Sequence, residues 1–152
     1  MTRRIAGARD GGELLAEAAR GALAVGERHG AFRAAGALVA RLHALGFLHA
    51  DLHPKNLLFS ADGCAWLLDL DRSRFEAALA PEVRARNLAR LLRYVERRRA
   101  RGEFALTRSD RARFLCAYEP DSTRRRAVLA DVAREFGRTL RWHQLGWRLF
   151  GG

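Results

Sequence analysis

A short polar stretch, followed by a turn and a second apolar run, constrains the fold of this 152-residue chain more than any other feature. Residues 49–58 read H-A-D-L-H-P-K-N-L-L and end in an apolar run. Asp62-Gly63 then tolerates positive φ at low cost, as hairpin turns require, and residues 65–70 form another apolar run. The pattern predicts a β-hairpin that carries polar residues at its open end.

The open end of this hairpin is predicted to gather groups suited to phosphoryl transfer. Asn56 enters the first strand and Asp69 leaves the second, so both should lie beside Asp51. An amide oxygen and a carboxylate are hard ligands of the kind that Mg²⁺ prefers, and Asp51 can accept a proton from an incoming hydroxyl. Lys55 can place a positive charge on a phosphoryl group during transfer.

The same residues resemble a known catalytic motif. H-x-D-L-x-P-K-N-L-L looks like the catalytic loop of the protein-kinase-like superfamily, H-x-D-x-x-x-x-N, which an aspartate-led metal motif follows. The stretch Leu68-Asp69-Leu70-Asp71-Arg72 resembles the lipopolysaccharide kinases, the Kdo and heptose kinases of the bacterial lipid A–core. Residues 87–92 and 114–118 are similar to helices of that group, and residues 2–10 are similar to its hinge segment.

This resemblance implies a role for each site residue. Asp51 would be the catalytic base, and Asn56 and Asp69 would be the metal ligands. Lys55 would contact the phosphates, and Leu58 would form the floor of the adenine pocket. The implied cofactors are ATP and Mg²⁺, and the implied activity is transfer of phosphate to a sugar hydroxyl of the lipopolysaccharide inner core.

Outside the hairpin the apolar spacing is helical. It predicts a helix over 13–27, a break at His29-Gly30 and a second helix over about 31–45. Further helices are predicted over 83–99 after Pro81, from a cap at Ser109 or Asp110, and from a cap at Asp121 or Ser122. The fold class expected is mainly α with one small β-hairpin.

The resemblance covers a C-terminal lobe only. No glycine-rich loop is found in residues 1–50, and Lys55 is the only lysine, so the phosphate-binding lysine of an N-terminal lobe has no counterpart. We therefore expect residues 1–152 to form a single kinase-like C-terminal lobe of a truncated or incomplete kinase. Residues 1–12 would be a hinge-like segment, and residues 49–71 the catalytic loop and metal-binding hairpin. Activity of the chain alone stays open.

The charge of the chain favours anionic partners. Twenty-eight basic and 17 acidic residues give a net charge of +11. The resemblance to the lipopolysaccharide kinases implies that the partner is a lipopolysaccharide core sugar or a lipid A–core precursor, with peripheral contact to the inner membrane. No zinc-finger or helix-turn-helix pattern supports a specific nucleic-acid partner. No signal peptide and no run of about 18 apolar residues is present, so a cytoplasmic location is expected.

Other interpretations remain open at this stage. One is a non-catalytic kinase-like lobe that binds a partner or an anionic membrane, and another is a small-molecule phosphotransferase of the antibiotic-kinase type. A zinc site at His43, His49 and His53 is disfavoured because their spacing matches no familiar zinc motif. The aromatic tail, residues 142–150, is expected to pack on the body rather than on a membrane.

Overall fold

A computed structural model describes the backbone of residues 7–150 and the side chains of residues 7–138. The chain is mainly helical, with two small antiparallel sheets. Five helices make up most of it: α1 Gly11–Ala19, α2 Val25–Ala44, α3 Pro81–Arg99, α4 Arg108–Tyr118 and α5 Ser122–Phe150. Five short strands lie between or before them: β1 Arg9–Asp10, β2 Phe47–Leu48, β3 Leu57–Phe59, β4 Ala65–Leu67 and β5 Arg74–Phe75. The predicted fold class is confirmed.

The predicted hairpin is strands β3 and β4. They pair antiparallel with Leu58 opposite Trp66, and β1 adds a third strand on the other side of β3. Gly63 adopts φ +82° in the connecting turn, and the Ser60 amide donates to the carbonyl of Cys64. The turn therefore has the positive-φ geometry that Asp62-Gly63 predicted.

The first helix boundary predicted from sequence is wrong. Helix α1 begins after Asp10, whose side chain forms a capping box with Glu13, and it ends before Gly21, which adopts φ +70°. Helix α2 then runs through the His29-Gly30 pair that was expected to break it. A Cβ atom at Gly30 would meet no atom within 4 Å, so nothing in the packing requires glycine there, and the helix tolerates it at a cost of about 1 kcal/mol.

The three other predicted helix starts differ in accuracy. Helix α3 has Pro81 at its first position, as expected. Helix α4 is capped by Thr107 rather than by Ser109 or Asp110, because Asp110 occupies the third helical position and completes a capping box with Thr107. The Asp121 side chain accepts from the Arg124 amide at the start of α5, as its predicted capping role requires. The side chains of the predicted aromatic tail lie outside the described residues.

Helices α2 and α4 approach each other so closely that only glycine fits at one point. A Cβ atom on Gly36 would lie 2.2 Å from the carbonyl oxygen of Phe114. This contact brings His43, near the end of α2, against Tyr118, at the end of α4. The packing of two helices thereby sets the position of polar side chains beneath the hairpin.

The apolar core anchors the polar loop that carries Asp51. Leu52, in the middle of the loop, is 1% exposed and belongs to the same apolar cluster as Val39 of α2 and Ala89 of α3. Burial of a leucine side chain contributes about 2 kcal/mol. Because Leu52 follows Asp51 directly, its burial fixes the backbone of Asp51 while the Asp51 side chain remains 63% exposed.

Candidate active site

Asp51 and Asn56 are joined directly. The Asn56 side-chain amide donates to the Asp51 carbonyl oxygen over 3.0 Å, and Asn56 is only 8% exposed. The same Nδ2 lies 3.3 Å from Nε2 of His53. Within the described residues no hydrogen bond engages the Oδ1 atom of Asn56. The amide is therefore oriented by its nitrogen, and its oxygen remains available to a ligand.

Asp69 is held close to Asn56 and His49 by the backbone hydrogen bonds of the preceding residue, Leu68. The Leu68 amide donates to the Asn56 carbonyl over 2.9 Å, and the Leu68 carbonyl lies 3.0 Å from Nε2 of His49. Asp69 follows with φ +54°, a conformation that few non-glycine residues adopt and that clusters at functional sites. The backbone segments that carry Asp51, Asn56 and Asp69 thus meet at the open end of the hairpin.

Two hydrogen bonds at this junction fix the tautomer of the His49 imidazole. The backbone amide of Asp51 lies 3.1 Å from Nδ1 of His49 and can only donate, so Nδ1 accepts. The proton therefore resides on Nε2, which donates to the Leu68 carbonyl. The imidazole links the amide of Asp51 to the residue before Asp69. His49 is 2% exposed, so water does not compete for either bond.

A chain of buried polar groups continues from His49 into the helices. Asn87 Nδ2 donates to the His49 carbonyl over 2.9 Å, which leaves Asn87 Oδ1 to accept from Nε2 of His43 over 3.1 Å. His43 Nδ1 is then the acceptor for the Tyr118 hydroxyl at 2.8 Å. Every donor points in the same direction, from Tyr118 toward Leu68, and each polar group has its partner.

The electrostatic environment keeps the His43 imidazole and the Tyr118 phenol of this hydrogen-bonded series neutral. Burial lowers the pKa of His43, the hydrogen bond that His43 donates to Asn87 raises it, and the Arg84 charge lowers it further. Burial raises the pKa of Tyr118 to about 12. A neutral imidazole and a protonated phenol are the forms that the hydrogen-bond directions require. The geometry and the pKa directions agree.

The carboxylate of Asp51 has two basic neighbours. His53 Nε2 lies 3.3 Å from Oδ2, and Arg90 Nη1 lies 3.6 Å from Oδ1. Arg90 Nη1 also donates to the Ala50 carbonyl over 2.6 Å. The His53 ring stacks on Tyr94 at a centroid distance of 4.9 Å, which fixes its plane. An exposed carboxylate in this setting is accessible to a hydroxyl and is positioned from two sides.

Lys55 and Leu58 lie on the side of the site toward α1 and the sheet. The Lys55 side chain runs past Gly12, where a Cβ would lie 3.1 Å from Lys55 Cγ. The pKa of Glu103 is lowered mainly by a hydrogen bond from Arg98, with a small contribution from Lys55. No hydrogen bond or ion pair joins Lys55 to Asp51 among the described side chains. Leu58 lies between Asp10 and Trp66 in the sheet.

The donor set fits a hard cation better than zinc. No group of three or more His, Cys, Asp or Glu residues with metal-binding geometry is found in the described part of the chain. His43 and His49 use both ring nitrogens in hydrogen bonds, and those bonds place them in the buried chain. The available Oδ1 of Asn56 and the carboxylate of Asp69 are oxygen donors of the kind that Mg²⁺ prefers.

Some residues at the site were not predicted from the sequence. Asn87 and Tyr118 lie in stretches assigned only to helices, Arg90 was assigned no role, and His53 was considered only as a zinc ligand. Asn87 offered one signal, because it is a polar residue beside the apolar Leu88-Ala89 on the inward face of α3.

Across the described residues no helix has both the length and the apolar character needed to cross a membrane.

Comparisons with known proteins match most of this chain to one protein family. The model of the lipopolysaccharide kinase (Kdo/WaaP) family matches residues 1–118. The 3-deoxy-D-manno-octulosonic acid kinase of Stenotrophomonas maltophilia (strain K279a) is 40% identical over 84 residues, which cover 55% of this chain and 33% of that protein. The kinase of the same description from Xanthomonas euvesicatoria pv. vesicatoria (strain 85-10) is 40% identical over 95 residues, covering 62% and 38%.

A solved structure has the same fold. The structure described as WaaP in complex with acyl carrier protein superimposes with a TM-score of 0.68 at 23% identity, covering 93% of this chain and 58% of that one. The chain spans about a third of the length of the curated relatives it matches, 33% and 38% for the two above. The region matched by the family model includes the loop and hairpin described here.

Proposed function

The chain belongs to the lipopolysaccharide kinase (Kdo/WaaP) family, and on this premise we propose that it takes part in ATP-dependent phosphorylation of a sugar hydroxyl in the lipopolysaccharide inner core. Kinases use ATP and a divalent metal in general. The relatives are named 3-deoxy-D-manno-octulosonic acid kinases, so we take that sugar acid as the acceptor. A lipid A–core precursor that carries it is the proposed partner.

One observation carries this proposal. The Asn56 amide is bonded to the Asp51 carbonyl, and the Asn56 carbonyl is bonded to the amide of Leu68, the neighbour of Asp69. A candidate base and two candidate metal ligands therefore share one small backbone framework. Phosphoryl transfer depends mainly on positioning and charge stabilisation, and a rigid framework of this kind serves both.

Asp51 would act as the general base. Its exposed carboxylate would accept the proton of the acceptor hydroxyl as the hydroxyl oxygen forms a bond to the γ-phosphorus of ATP. The bond between the γ-phosphorus and the β–γ bridging oxygen breaks, and ADP leaves with that electron pair. The His53 and Arg90 side chains would hold the carboxylate toward the hydroxyl.

Asn56 and Asp69 would hold Mg²⁺ through Oδ1 and a carboxylate oxygen. The ion, when bound, would neutralise charge on the phosphate oxygens. The hydrogen bond from Asn56 Nδ2 to the Asp51 carbonyl already aligns this amide, so little reorganisation is required for binding. We propose Lys55 as a phosphate contact and Leu58 as the floor of the adenine pocket, with ATP lying over the sheet.

We also propose that the reaction takes place in the cytoplasm, at the inner membrane surface. The net charge of +11 favours peripheral contact with anionic head groups. Binding to anionic vesicles that falls steeply as salt rises would support this location. Equal binding to neutral and anionic vesicles would contradict it.

The deciding experiment measures phosphate transfer from γ-labelled ATP to a lipid A precursor that contains the sugar acid. The Asp51→Asn protein should lose about 10²- to 10⁴-fold in turnover, as expected when a general base is removed, while ATP affinity changes little. Asp131→Asn removes a carboxylate on α5 that pairs with Arg134 and is the matched control. Unchanged turnover of Asp51→Asn would refute this role for Asp51.

The same assay separates the alternatives. A wild-type protein that shows neither turnover nor magnesium-dependent ATP binding would be a non-catalytic kinase-like lobe. Transfer to an aminoglycoside in preference to the sugar acid would identify a small-molecule phosphotransferase.

A further inference from the structure

Helix α3 carries a row of arginines that begins next to Asp51. Arg86, Arg90, Arg93 and Arg97 are spaced by four, three and four residues, which places them on one face of the helix. Arg90 is the member that contacts the site: its Nη1 is 2.6 Å from the Ala50 carbonyl and 3.6 Å from Asp51 Oδ1. We call these residues the arginine row.

The carboxylate of Glu135 is shared between the arginine row and Arg138. Arg86 Nε lies 3.6 Å from Glu135, and Glu135 also bonds Arg138 at 3.2 Å. Burial and the charges of Arg90 and Arg97 lower the pKa of Arg93, while Glu135 opposes this shift. At spacings of three and four residues Arg90, Arg93 and Arg97 are neighbours on the helix surface, so their like charges repel one another.

Arg97 is the C-terminal member of this row and is exposed. Among the described residues it forms no hydrogen bond or ion pair. Like charges at helical spacing repel one another, so the neighbouring Arg93 does not offset the charge of this side chain. An anionic ligand bound among these side chains would attract each of them and so offset their mutual repulsion.

Resting on the proposed function, we propose that Arg90, Arg93 and Arg97 bind the carboxylate of the sugar-acid acceptor and thereby place its hydroxyl at Asp51. Planar guanidinium groups form paired hydrogen bonds with carboxylates, which orient the ligand as well as attract it. A ligand held by Arg90 lies within one sugar ring of the Asp51 carboxylate, since that guanidinium is already 3.6 Å from it.

The location of the row favours a small acceptor over a membrane surface. Arg90 bonds the loop that carries the candidate base, so its remaining donors lie near the place where an acceptor hydroxyl must arrive. A lipid head group would require no such proximity to Asp51. A membrane ligand is therefore treated below as an outcome that would overturn the proposal.

The first test is binding without nucleotide. Free 3-deoxy-D-manno-octulosonic acid and its neutral carboxamide are titrated into the full chain and followed by ¹⁵N NMR. Arg97→Gln should weaken binding of the acid about fivefold to tenfold and leave binding of the carboxamide unchanged. Arg99→Gln is the matched control, because Arg99 lies nine residues from Arg90, about 180° around the helix, and pairs with Glu96 at 2.8 Å.

Any one of three results of this titration would overturn the proposal. These are an equal effect of the Arg97 and Arg99 variants on acid binding, binding of the carboxamide as tight as that of the acid, and no binding of either compound by the wild type. A requirement for Arg97 with phosphatidylglycerol vesicles but not with the sugar acid would assign the row to a membrane and would also overturn it.

A kinetic test separates this proposal from the proposed function. Arg97→Gln should raise the KM for the acidic acceptor about fivefold to tenfold while kcat and the KM for ATP stay within twofold of wild type. Arginine-dependent binding of the acid without any phosphate transfer would refute the proposed function and support the acceptor site. Phosphate transfer with an acceptor KM that is independent of Arg97 would do the reverse.

Discussion

The side-chain amide of Asn87 donates a hydrogen bond to the carbonyl oxygen of His49 over 2.9 Å, across 38 residues of sequence. This bond attaches helix α3 to the loop that carries Asp51. His49 in turn bonds the Asp51 amide and the Leu68 carbonyl, so that one buried amide supports both sides of the candidate site. The loop is thus held by the helical core rather than by its own short strands.

Replacement of Asn87 by leucine should destabilise the protein strongly. The variant keeps the number and branching of the side-chain heavy atoms but leaves the His49 carbonyl and the His43 Nε2–H buried without partners. We expect a loss of about 3 kcal/mol in the free energy of unfolding, measured by urea denaturation. Tyr118→Phe, which removes only the distal end of the chain, should cost about 1 kcal/mol. Equal losses for the two variants would contradict this hierarchy.

Stability should fall as the pH decreases below about 6.5, through His43. Its pKa is lowered in the folded state from 6.5, so the unfolded chain binds the proton first. The stabilisation is fully present above the unfolded pKa and is lost as the pH falls toward the folded pKa, with a slope of at most about 1.4 kcal/mol per pH unit. His43→Gln should flatten this slope in urea midpoints measured between about pH 7.5 and 5.5, the range around the unfolded pKa. An unchanged slope in the variant would assign the effect to other groups.

The sequence predicted the hairpin well because its signals are local. The Asp62-Gly63 turn and the flanking apolar runs lie within about ten residues of one another, and the register with Leu58 opposite Trp66 follows from the turn. The roles assigned to Asp51, Asn56 and Asp69 depend on that register and stay predictions. The structure brings the backbone of these residues together.

The buried polar chain could not be predicted in the same way. His43 and Tyr118 are 75 residues apart, and His43 and Asn87 are 44 residues apart, so their contacts exist only after the helices have packed. The boundary between α1 and α2 failed for a related reason. Gly21 and Gly30 look alike in sequence, and only the structure shows which adopts positive φ.

Two glycines in helix α2 should respond to alanine in opposite directions. A Cβ on Gly36 would lie 2.2 Å from the Phe114 carbonyl oxygen, which is backbone and cannot rotate away. Gly36→Ala should therefore cost about 3 kcal/mol by forcing α2 and α4 apart. Gly30→Ala meets nothing within 4 Å and should stabilise the protein by about 0.5–1 kcal/mol through better helix propensity.

Thermal unfolding of the two alanine variants provides the check. Similar melting temperatures for Gly36→Ala and Gly30→Ala would show that the close approach of α2 to α4 is not present in solution. Loss of the His43–Tyr118 contact in Gly36→Ala alone would show that this approach also positions the buried chain.

Asp69→Asn should separate metal binding from folding. Asp69 adopts φ +54°, and asparagine tolerates this conformation as well as aspartate does, so the backbone should be preserved. The substitution removes the charge of a proposed Mg²⁺ ligand. We expect the unfolding midpoint to change little and the affinity for Mg-ATP, measured by calorimetry, to fall about 10- to 100-fold. Asp131→Asn should bind Mg-ATP as the wild type does, and equal affinity of the Asp69 variant would exclude Asp69 from the metal site.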